Sequence, residues 1–282
     1  MQILTELTSL RGTLKQWRRD GQSIALVPTM GNLHAGHFSL IARARQLADR
    51  VVASVFVNPT QFGPNEDFSR YPRTPEQDAE GLADAGCDAL WLPGVETMYP
   101  FGADHAVGMH VPGITDVLDG AARPGHFDGV TTVVTRLFLQ VQPDVAIFGR
   151  KDYQQLAVIR YFVRDLAFPI EIIGAEIRRD DDGLALSSRN QYLSAEERAV
   201  APLLHRTLQS MRDRLLAGET RGKVEAAATA ELEAAGFRPD YAVVRTPSLE
   251  APAEGQPGPR VALLAARLGT TRLIDNLEFE LP

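Results

Sequence analysis

The sequence predicts an α/β protein: a Rossmann-like parallel sheet with helices on both faces, followed by a smaller C-terminal α+β domain. Two observations carry this prediction. Up to about residue 175, short apolar runs alternate with stretches whose apolar residues recur at helical spacing, which is typical of a parallel sheet. Beyond about residue 177, two amphipathic helical stretches precede strand-like runs joined by loops. We therefore expect domains at residues 1–177 and 178–282.

The first domain is predicted to contain five strands and four helices. The short apolar runs predict strands at residues 24–27, 51–57, 89–92, 145–148 and 170–173. Helical spacing predicts helices at residues 38–49, 75–85, 131–140 and 153–166. Parallel sheets bind ligands at the carboxyl ends of their strands. Polar segments that contain Gly or Pro follow three of these strands, at 28–37, 58–71 and 149–155, so we expect them to open on one edge.

The second domain is predicted to contain two helices and three strands. Amphipathic spacing predicts the helices at residues 195–217 and 222–235. The strands are expected at 241–244, 261–266 and 272–280, and the Pro- and Gly-bearing stretch 248–260 is expected to be a surface loop.

Composition excludes several classes of function. The net charge of −7 argues against nonspecific binding of nucleic acid or a membrane surface, because both require a positive field. No apolar run is long enough to cross a membrane, and residues 1–20 lack the pattern of a secretory signal. Cys87 is the only cysteine, so no disulfide forms within the chain. We expect a cytoplasmic protein.

The strongest functional signal is the segment Pro-Thr-Met-Gly-Asn-Leu-His-Ala-Gly-His at residues 28–37. It lies between a predicted strand and a predicted helix, and a helix N-terminus offers N–H groups and partial positive charge to a phosphate. Gly31 and Gly36 allow close approach of a ligand, and His34 and His37 share one face of a helical turn. Half of a metal site and a simple helix cap are alternatives. We favour a nucleoside triphosphate and expect no metal ligands, since no cluster supplies further ones.

Three further segments are candidates for ligand binding. Lys151 follows a strand and suits phosphate oxygens, although a solvated surface lysine has the same signature. The hydroxyls of Ser187 and Ser188 with Arg189 form either a phosphate clamp that closes over a nucleotide or a polar turn. The stretch 123–127 is a basic loop or an ordinary turn.

Two glutamines suit a substrate that is bound by hydrogen bonds. Gln61 follows the second predicted strand, and Gln155 lies one helical turn after Lys151. Their amides are uncharged donors and acceptors that orient a hydroxyl or a carboxylate.

The motifs together resemble the pantoate–β-alanine ligase family. The resemblance rests, in chain order, on Pro-Thr-Met-Gly (28–31), His-Ala-Gly-His (34–37), Phe-Val-Asn-Pro (56–59), Gln-Phe (61–62), Tyr-Pro-Arg-Thr (71–74), Arg-Pro-Gly-His-Phe (123–127), Lys-Asp-Tyr-Gln-Gln-Leu (151–156), Gly-Leu-Ala-Leu-Ser-Ser-Arg-Asn (183–190) and Arg-Leu-Ile-Asp-Asn (272–276). The histidine motif alone marks a wider nucleotidyl-transferase group, whereas the combination is specific. The chain departs from the family at Arg150, where Glu is usual, and at Thr60, where Met is common.

The resemblance implies a two-step ligase that uses ATP with Mg²⁺ carried on the phosphates. Pantoate reacts with ATP to give pantoyl adenylate and pyrophosphate, and β-alanine then displaces AMP to give pantothenate. The partners implied are pantoate, β-alanine and ATP, together with a second copy of the chain in a homodimer. A nucleotidylyltransferase and a nucleotide-binding regulator without chemistry are the competing functions.

The resemblance also assigns roles to residues. Catalysis is implied for His34, His37, Lys151, Ser187, Ser188 and Arg189, with His37 in the position of the family's proton donor. ATP binding is implied for Met30, Gly31, Asn32, Leu33, His34, Ala35, Gly36, His37, Gly149, Arg150, Lys151, Asp152, Arg178, Leu186, Ser187, Ser188 and Arg189. Pantoate binding is implied for Met30, Gln61 and Gln155, and β-alanine binding for Gln61.

Overall fold

The computed structural model describes residues 1–64, 66 and 68–282. Over these residues the chain forms two compact units. The first comprises Met1–Arg150 and Val158–Glu176, and the second comprises Lys151–Ala157 and Ile177–Pro282. The segment Lys151–Ala157, expected from the sequence in the first domain, therefore lies in the second unit. Asn65 and Asp67, within the predicted polar segment 58–71, lie outside the described residues.

A parallel sheet forms the centre of the first unit, which confirms the predicted fold class. In the described part of the chain its six strands are β1 (Gln2–Leu4), β2 (Ile24–Thr29), β3 (Arg50–Val55), β4 (Ala89–Trp91), β5 (Val145–Gly149) and β6 (Glu171–Ala175). Their order is β1-β4-β3-β2-β5-β6, and every described pairing is parallel. Thr29 pairs with Val55, so the segments after β2 and β3 leave the sheet at the same level.

Helices connect these strands. Their bounds are α1 (Leu7–Arg19), α2 (Ala35–Ala44), α3 (Pro75–Asp84), α4 (Val95–Met98), α5 (Asp119–Ala122), α6 (His126–Val141) and α7 (Tyr153–Asp165). Along β2, Ala25 and Val27 pack into one apolar cluster with residues of α2, while Ile24 and Leu26 on the opposite pleat are equally buried. Because successive side chains of a strand point to opposite faces, this burial requires cover on both faces of the sheet.

The second unit carries an antiparallel sheet and three helices. Its described elements are α8 (Ala195–Val200), α9 (Leu203–Leu216), α10 (Arg221–Ala234), β7 (Arg238–Arg245), β8 (Gly258–Leu268) and β9 (Thr271–Leu281). The strands lie in the order β7-β8-β9. Apolar side chains of α9 and α10 pack against β8 in one buried cluster.

The structure differs from the predicted elements most clearly at two places. The helix predicted at 195–217 is interrupted between α8 and α9, where Pro202 has no N–H to continue the helical ladder. No element was predicted before residue 24, whereas β1 and α1 occupy most of that stretch. The buried residues Leu10, Leu14 and Trp17 of α1 recur at helical spacing, so the signal was present in the sequence. No helix in the described ranges has the length and apolar character needed to cross a membrane.

Candidate active site

The turn between β2 and α2 has a backbone that its sequence makes possible. Gly31 has φ +84° and Asn32 has φ 52°, both in the left-handed region that favours Gly and Asn. A Cβ on Gly31 would lie 2.9 Å from Oδ2 of Asp78 and 3.0 Å from Cγ1 of Val55. Glycine is therefore required here both by backbone conformation and by close approach.

Asp78 of α3 holds this turn in place. Its carboxylate accepts hydrogen bonds from the backbone N–H groups of Asn32 (2.9 Å) and Leu33 (2.7 Å). The Thr74 hydroxyl donates a third bond, at 3.2 Å, to the same carboxylate. Asp78 is only 2% exposed, and a buried carboxylate needs such donors to offset its lost hydration. Asp78 was not among the residues predicted from the sequence.

The two histidines of the motif cap α2. His34 is the N-cap residue, and its Nδ1 accepts from the N–H of Gly36 at 3.1 Å. His37 Nδ1 accepts from the N–H of His34 at 3.3 Å, which completes a reciprocal capping box. The ring centroids lie 4.2 Å apart. Because each Nδ1 is an acceptor, the neutral rings carry their proton on Nε2.

This arrangement changes the role expected of the helix N-terminus. The backbone N–H groups of Asn32, Leu33, His34 and Gly36 donate within the protein, whereas the sequence led us to expect them to be open to a phosphate. The structure thus shows the helix cap, for which each imidazole uses its Nδ1 atom, and the ligand interpretation concerns the Nε2 atoms.

Met30 and Gln61, both predicted to bind one substrate, are in contact. Gln61 Nε2 lies 3.1 Å from Met30 Sδ, and Gln61 Oε1 accepts from Asn58 Nδ2 at 3.1 Å. Asn58 is itself 1% exposed, and its Oδ1 accepts from the Tyr99 hydroxyl at 2.6 Å. The hydrogen bond from Asn58 fixes which end of the Gln61 amide is the donor. The 58–61 turn is therefore a rigid, polar lining beside the histidine turn.

The basic loop at 123–127 is hydrogen-bonded to the 58–61 turn. His126 Nδ1 donates to the carbonyl of Gln61 at 2.8 Å, and Arg123 donates to His126 Nε2 at 2.9 Å. Burial and the neighbouring Arg123 charge lower the pKa of His126 to about 4. Arg123 also forms two bonds, of 2.6 and 2.7 Å, with Glu66. Partial burial raises the pKa of Glu66, but the hydrogen bond and charge of Arg123 outweigh it and bring it to about 2.

In the second unit, Lys151 forms an ion pair with its neighbour Asp152. The ammonium lies 3.3 Å from both carboxylate oxygens, and the Lys151 side chain is about one-fifth exposed (20%). The Lys151 carbonyl accepts from Asn276 Nδ2 at 2.9 Å. Gln155 lies half-buried in α7 of the same segment. The ammonium is therefore held at a defined place rather than extended into solvent.

Arg150 belongs to the first unit with Gly149, the last residue of β5. Its guanidinium bonds the Gly174 carbonyl at 3.2 Å and pairs with Glu176 at 2.9 Å, both in or just after β6. Its backbone N–H donates to Ala175. The side chain that departs from the family pattern is thus engaged along the edge of the sheet.

The serine–arginine loop is held by a short hairpin. Arg179 and Ala185 form an antiparallel bridge, and the N–H of Leu186 donates to the Arg178 carbonyl at 2.9 Å. The Ser187 hydroxyl then caps the 3-10 helix Ser188–Tyr192 by accepting from the N–H of Arg189 at 3.3 Å. Arg178, Leu186, Ser187, Ser188 and Arg189 are therefore neighbours in this unit.

The predicted residues thus form two groups, one in each unit. Met30, Gln61 and the 31–37 turn lie together in the first, and Lys151, Asp152 and the 186–189 loop lie in the second. Among the described residues there is no group of three or more His, Cys, Asp or Glu side chains suited to a metal ion. Sequence reasoning missed Asp78 and gave no role to Asn276 of the motif at 272–276, and both residues hold these segments.

Comparison with known proteins identifies the family. The family model described as pantoate-β-alanine ligase matches residues 2–278. A protein named pantothenate synthetase from Stenotrophomonas maltophilia (strain R551-3) is 68% identical over 280 residues, which cover 99% of this chain and 100% of that protein. A pantothenate synthetase from Xanthomonas euvesicatoria pv. vesicatoria (strain 85-10) is 67% identical over 279 residues, with the same coverage of 99% and 100%.

Solved structures agree with this result. The crystal structure of pantothenate synthetase from Thermus thermophilus superposes with a TM-score of 0.92 at 48% identity, covering 98% of this chain and 99% of that one. The pantoate-β-alanine ligase from Francisella tularensis, described as complexed with "beta-gamma ATP" and β-alanine, gives a TM-score of 0.82 at 32% identity, covering 98% of this chain and 97% of that one. The chain therefore belongs to the pantoate–β-alanine ligase family and is an enzyme.

Proposed function

We propose that this enzyme condenses pantoate with β-alanine, using MgATP as co-substrate, through a pantoyl-adenylate intermediate. A pantoate carboxylate oxygen attacks the α-phosphorus of ATP, the bond from that phosphorus to the oxygen shared with the β-phosphate breaks, and pyrophosphate leaves with the electron pair. The amine of β-alanine then attacks the acyl carbon, AMP leaves with the electron pair of the broken C–O bond, and the amine loses a proton. Pantothenate, AMP and pyrophosphate are the products.

The observation that carries this proposal is the arrangement of the two histidines. Both Nδ1 atoms accept backbone protons, so both neutral rings carry a donor at Nε2, with centroids 4.2 Å apart. Two preoriented donors suit the charge that develops on phosphate oxygens as pyrophosphate leaves, and they need no reorganisation during the reaction. This supports a phosphate role for His34 and His37. In this arrangement the Nε2 proton of His37 is also the one it would donate to the leaving group.

We assign the remaining phosphate contacts to the second unit. Lys151, Ser187, Ser188 and Arg189 supply an ammonium, two hydroxyls and a guanidinium, which are donors suited to phosphate. When ATP binds, Lys151 exchanges the Asp152 carboxylate for phosphate oxygens, and Asp152 is then available to the nucleoside. Gly149, Arg150, Arg178 and Leu186, together with residues 30–36 of the histidine turn, complete the proposed ATP-binding set, with Mg²⁺ bound to the phosphates as part of the substrate.

We assign pantoate to Met30, Gln61 and Gln155, and β-alanine to Gln61. The Gln61 amide is oriented by Asn58 and its carbonyl is held by His126, so the amide is available in one defined orientation. A fixed amide aligns the carboxylate for in-line attack, and such positioning lowers the barrier when two substrates must meet. The Francisella relative, described with β-alanine bound, supports an amine acceptor in this family.

Isotope exchange tests the adenylate step. Labelled pyrophosphate is incubated with ATP and enzyme, with pantoate or one of a panel of small carboxylic acids and without β-alanine. We expect label in ATP only when pantoate is present. Pantoate labelled with ¹⁸O in its carboxylate should then transfer one labelled oxygen to AMP in the full reaction. Release of ADP and phosphate, or AMP without ¹⁸O, would exclude the adenylate. A nucleotidylyltransferase would show no exchange with any acid of the panel but would show it with an acceptor that carries a phosphate, and a regulator would show none with either.

Two variants link this chemistry to the assigned residues. His37→Ala and Lys151→Ala should each lower exchange by roughly 10²–10³-fold, the scale for losing one preorganised stabiliser of charge. Lys223→Ala is the matched control, since Lys223 is an exposed lysine on α10 of the same unit as Lys151. Folded variants of His37 and Lys151 that retain the rate of this control would exclude the assigned phosphate site.

The assembly implied by the resemblance and the location expected from the sequence are also proposals. We propose a homodimer in the cytoplasm. Light scattering on the purified protein tests the dimer, and cell fractionation tests the location.

A further inference from the structure

Two buried polar residues stand side by side on β9. Asp275 and Asn276 are each 3% exposed, opposite Leu264 and Leu263 of β8 in the strand register. Burying a carboxylate and an amide among apolar residues is costly unless each finds partners. Their partners therefore show what these residues do.

Their hydrogen bonds form one continuous network within the second unit. Asp275 accepts two bonds from Arg179, at 2.6 and 2.9 Å, and one from the N–H of Asn276 at 2.8 Å. Asn276 Nδ2 donates to the carbonyl of Lys151 at 2.9 Å. Arg179 also donates to the carbonyl of Gly183 at 3.1 Å. The network runs from Gly183 through Arg179, Asp275 and Asn276 to Lys151.

Both ends of the network lie on segments that carry proposed phosphate-binding groups. One end is the peptide of Lys151. The other is the 178–186 hairpin, in which Arg179 bridges Ala185 and Leu186 bonds Arg178, directly before Ser187. These two segments are remote in sequence, so only tertiary contacts set the spacing between them. Misplacement of a charge stabiliser by about 1 Å is sufficient to cost roughly 10²-fold in rate.

We propose that Asn276 is a positioning residue for Lys151, and that Asp275 and Arg179 hold Asn276 in the orientation that this requires. The bidentate pair with Arg179 fixes the Asp275 carboxylate, and this carboxylate accepts a hydrogen bond from the backbone N–H of Asn276. The side-chain amide of Asn276 then donates to the carbonyl of Lys151. This inference rests on the proposed phosphate role of Lys151. The C-terminal Arg-Leu-Ile-Asp-Asn motif would then position Lys151 relative to the phosphate oxygens.

A double-mutant cycle distinguishes positioning from simple stabilisation. The proteins compared are the unaltered enzyme, Asn276→Ala, Lys151→Ala and the double variant, in pantoate-dependent ATP–pyrophosphate exchange. Asn276→Ala should lower kcat/KM for ATP by roughly 10–100-fold, with KM for pantoate changed by less than about threefold. In the Lys151→Ala background, Asn276→Ala should cost less than about threefold, because the residue it positions is gone.

Asp240→Asn is the matched control. It breaks a short ion pair of the same sheet, that of Arg272 with Asp240 at 2.7 Å. Thermal unfolding of each variant measures how much stability the substitution removes. If Asn276→Ala affects the rate no more than Asp240→Asn at a similar loss of stability, or if its effect multiplies fully with that of Lys151→Ala, the positioning role is wrong. If Lys151→Ala alone retains the native rate, the phosphate role of Lys151 is what fails.

Discussion

Asp78 should be required for both the stability of the first unit and the rate of adenylation. It is 2% exposed and accepts hydrogen bonds from the N–H groups of Asn32 and Leu33 and from the Thr74 hydroxyl. Asp78→Ala leaves those two N–H groups without their partner, at about 1–3 kcal/mol each, so unfolding should become easier by about 2–6 kcal/mol. Asp78→Asn keeps the shape and one acceptor oxygen, so its cost should be about half as large.

The rate of pyrophosphate exchange should fall even in Asp78 variants that remain folded. The turn that Asp78 holds carries Met30, Gly31 and the His34–His37 cap. Without the carboxylate, the left-handed backbone at Gly31 and Asn32 loses its anchor, so the imidazoles are less well placed. We expect folded Asp78→Asn to lose roughly 10-fold or more in pyrophosphate exchange, an effect of about 1.4 kcal/mol on the barrier.

Urea unfolding followed by tryptophan fluorescence measures the stability term. Both tryptophans of the chain, Trp17 and Trp91, are buried in the first unit, so their signal reports the unit that contains Asp78. Asp84→Asn is the control, because Asp84 is an exposed carboxylate of the same helix and should change stability by less than about 0.5 kcal/mol. A loss below about 1 kcal/mol for Asp78→Ala, with exchange unaffected, would refute the anchoring argument.

Three further predictions concern single groups. The pKa of His126 is lowered to about 4 in the folded protein, against 6.5 in the unfolded chain. The stability that neutral His126 contributes is therefore complete above pH 6.5 and is lost as the pH falls towards 4. The stability of His126→Asn should fall less steeply with pH in that window than the stability of the native protein. A variant whose acid profile matches that of the native protein between those values would contradict it. Arg150→Glu should change the adenylation barrier by less than about 1.4 kcal/mol, because the guanidinium pairs with the exposed Glu176; single-turnover rates at low and moderate salt test this, and a larger loss that persists in salt would mean that Arg150 reaches the phosphates. Gln61→Ala should weaken pantoate use by about 1–3 kcal/mol while ATP affinity is little changed, and equal losses in separate titrations of the two substrates would contradict the pocket assignment.

The strands of the first unit were predictable because their signal is local. Four or more consecutive apolar residues mark β2 and β5 regardless of what they pack against. β1 was not predictable in the same way, since it has three residues and only Leu4 is buried. The start of α6 was predicted five residues late, because its first turn follows Gly125, whose φ of +79° is set by the tertiary path of the loop.

The candidate site was predictable only for the side chains that are proposed to bind a ligand. Imidazoles, an ammonium and hydroxyls beside glycines have a recognisable composition, which placed His34, His37 and Lys151 among the candidates. A helix cap was among the alternatives for these histidines, but composition does not tell which ring nitrogen makes it, so the role of the Nδ1 atoms could not be predicted. The committed N–H groups of Asn32 and Leu33 likewise depend on Asp78, which is more than 40 residues away in sequence.

The groups that hold these segments share a chemical property that explains why sequence does not reveal what they do. Asp78, His126 and Asn276 each bond a backbone atom of a segment that carries a side chain with a proposed function. A backbone atom is the same whatever residue stands there, so no pairing of residue types marks the contact. Experiment can therefore distinguish residues that act through their side chains from residues that anchor a backbone segment. Replacing a functional side chain such as that of Lys151 leaves its backbone anchor intact and should lower the rate at nearly native stability. Replacing an anchor removes a buried partner, so rate and stability should fall together.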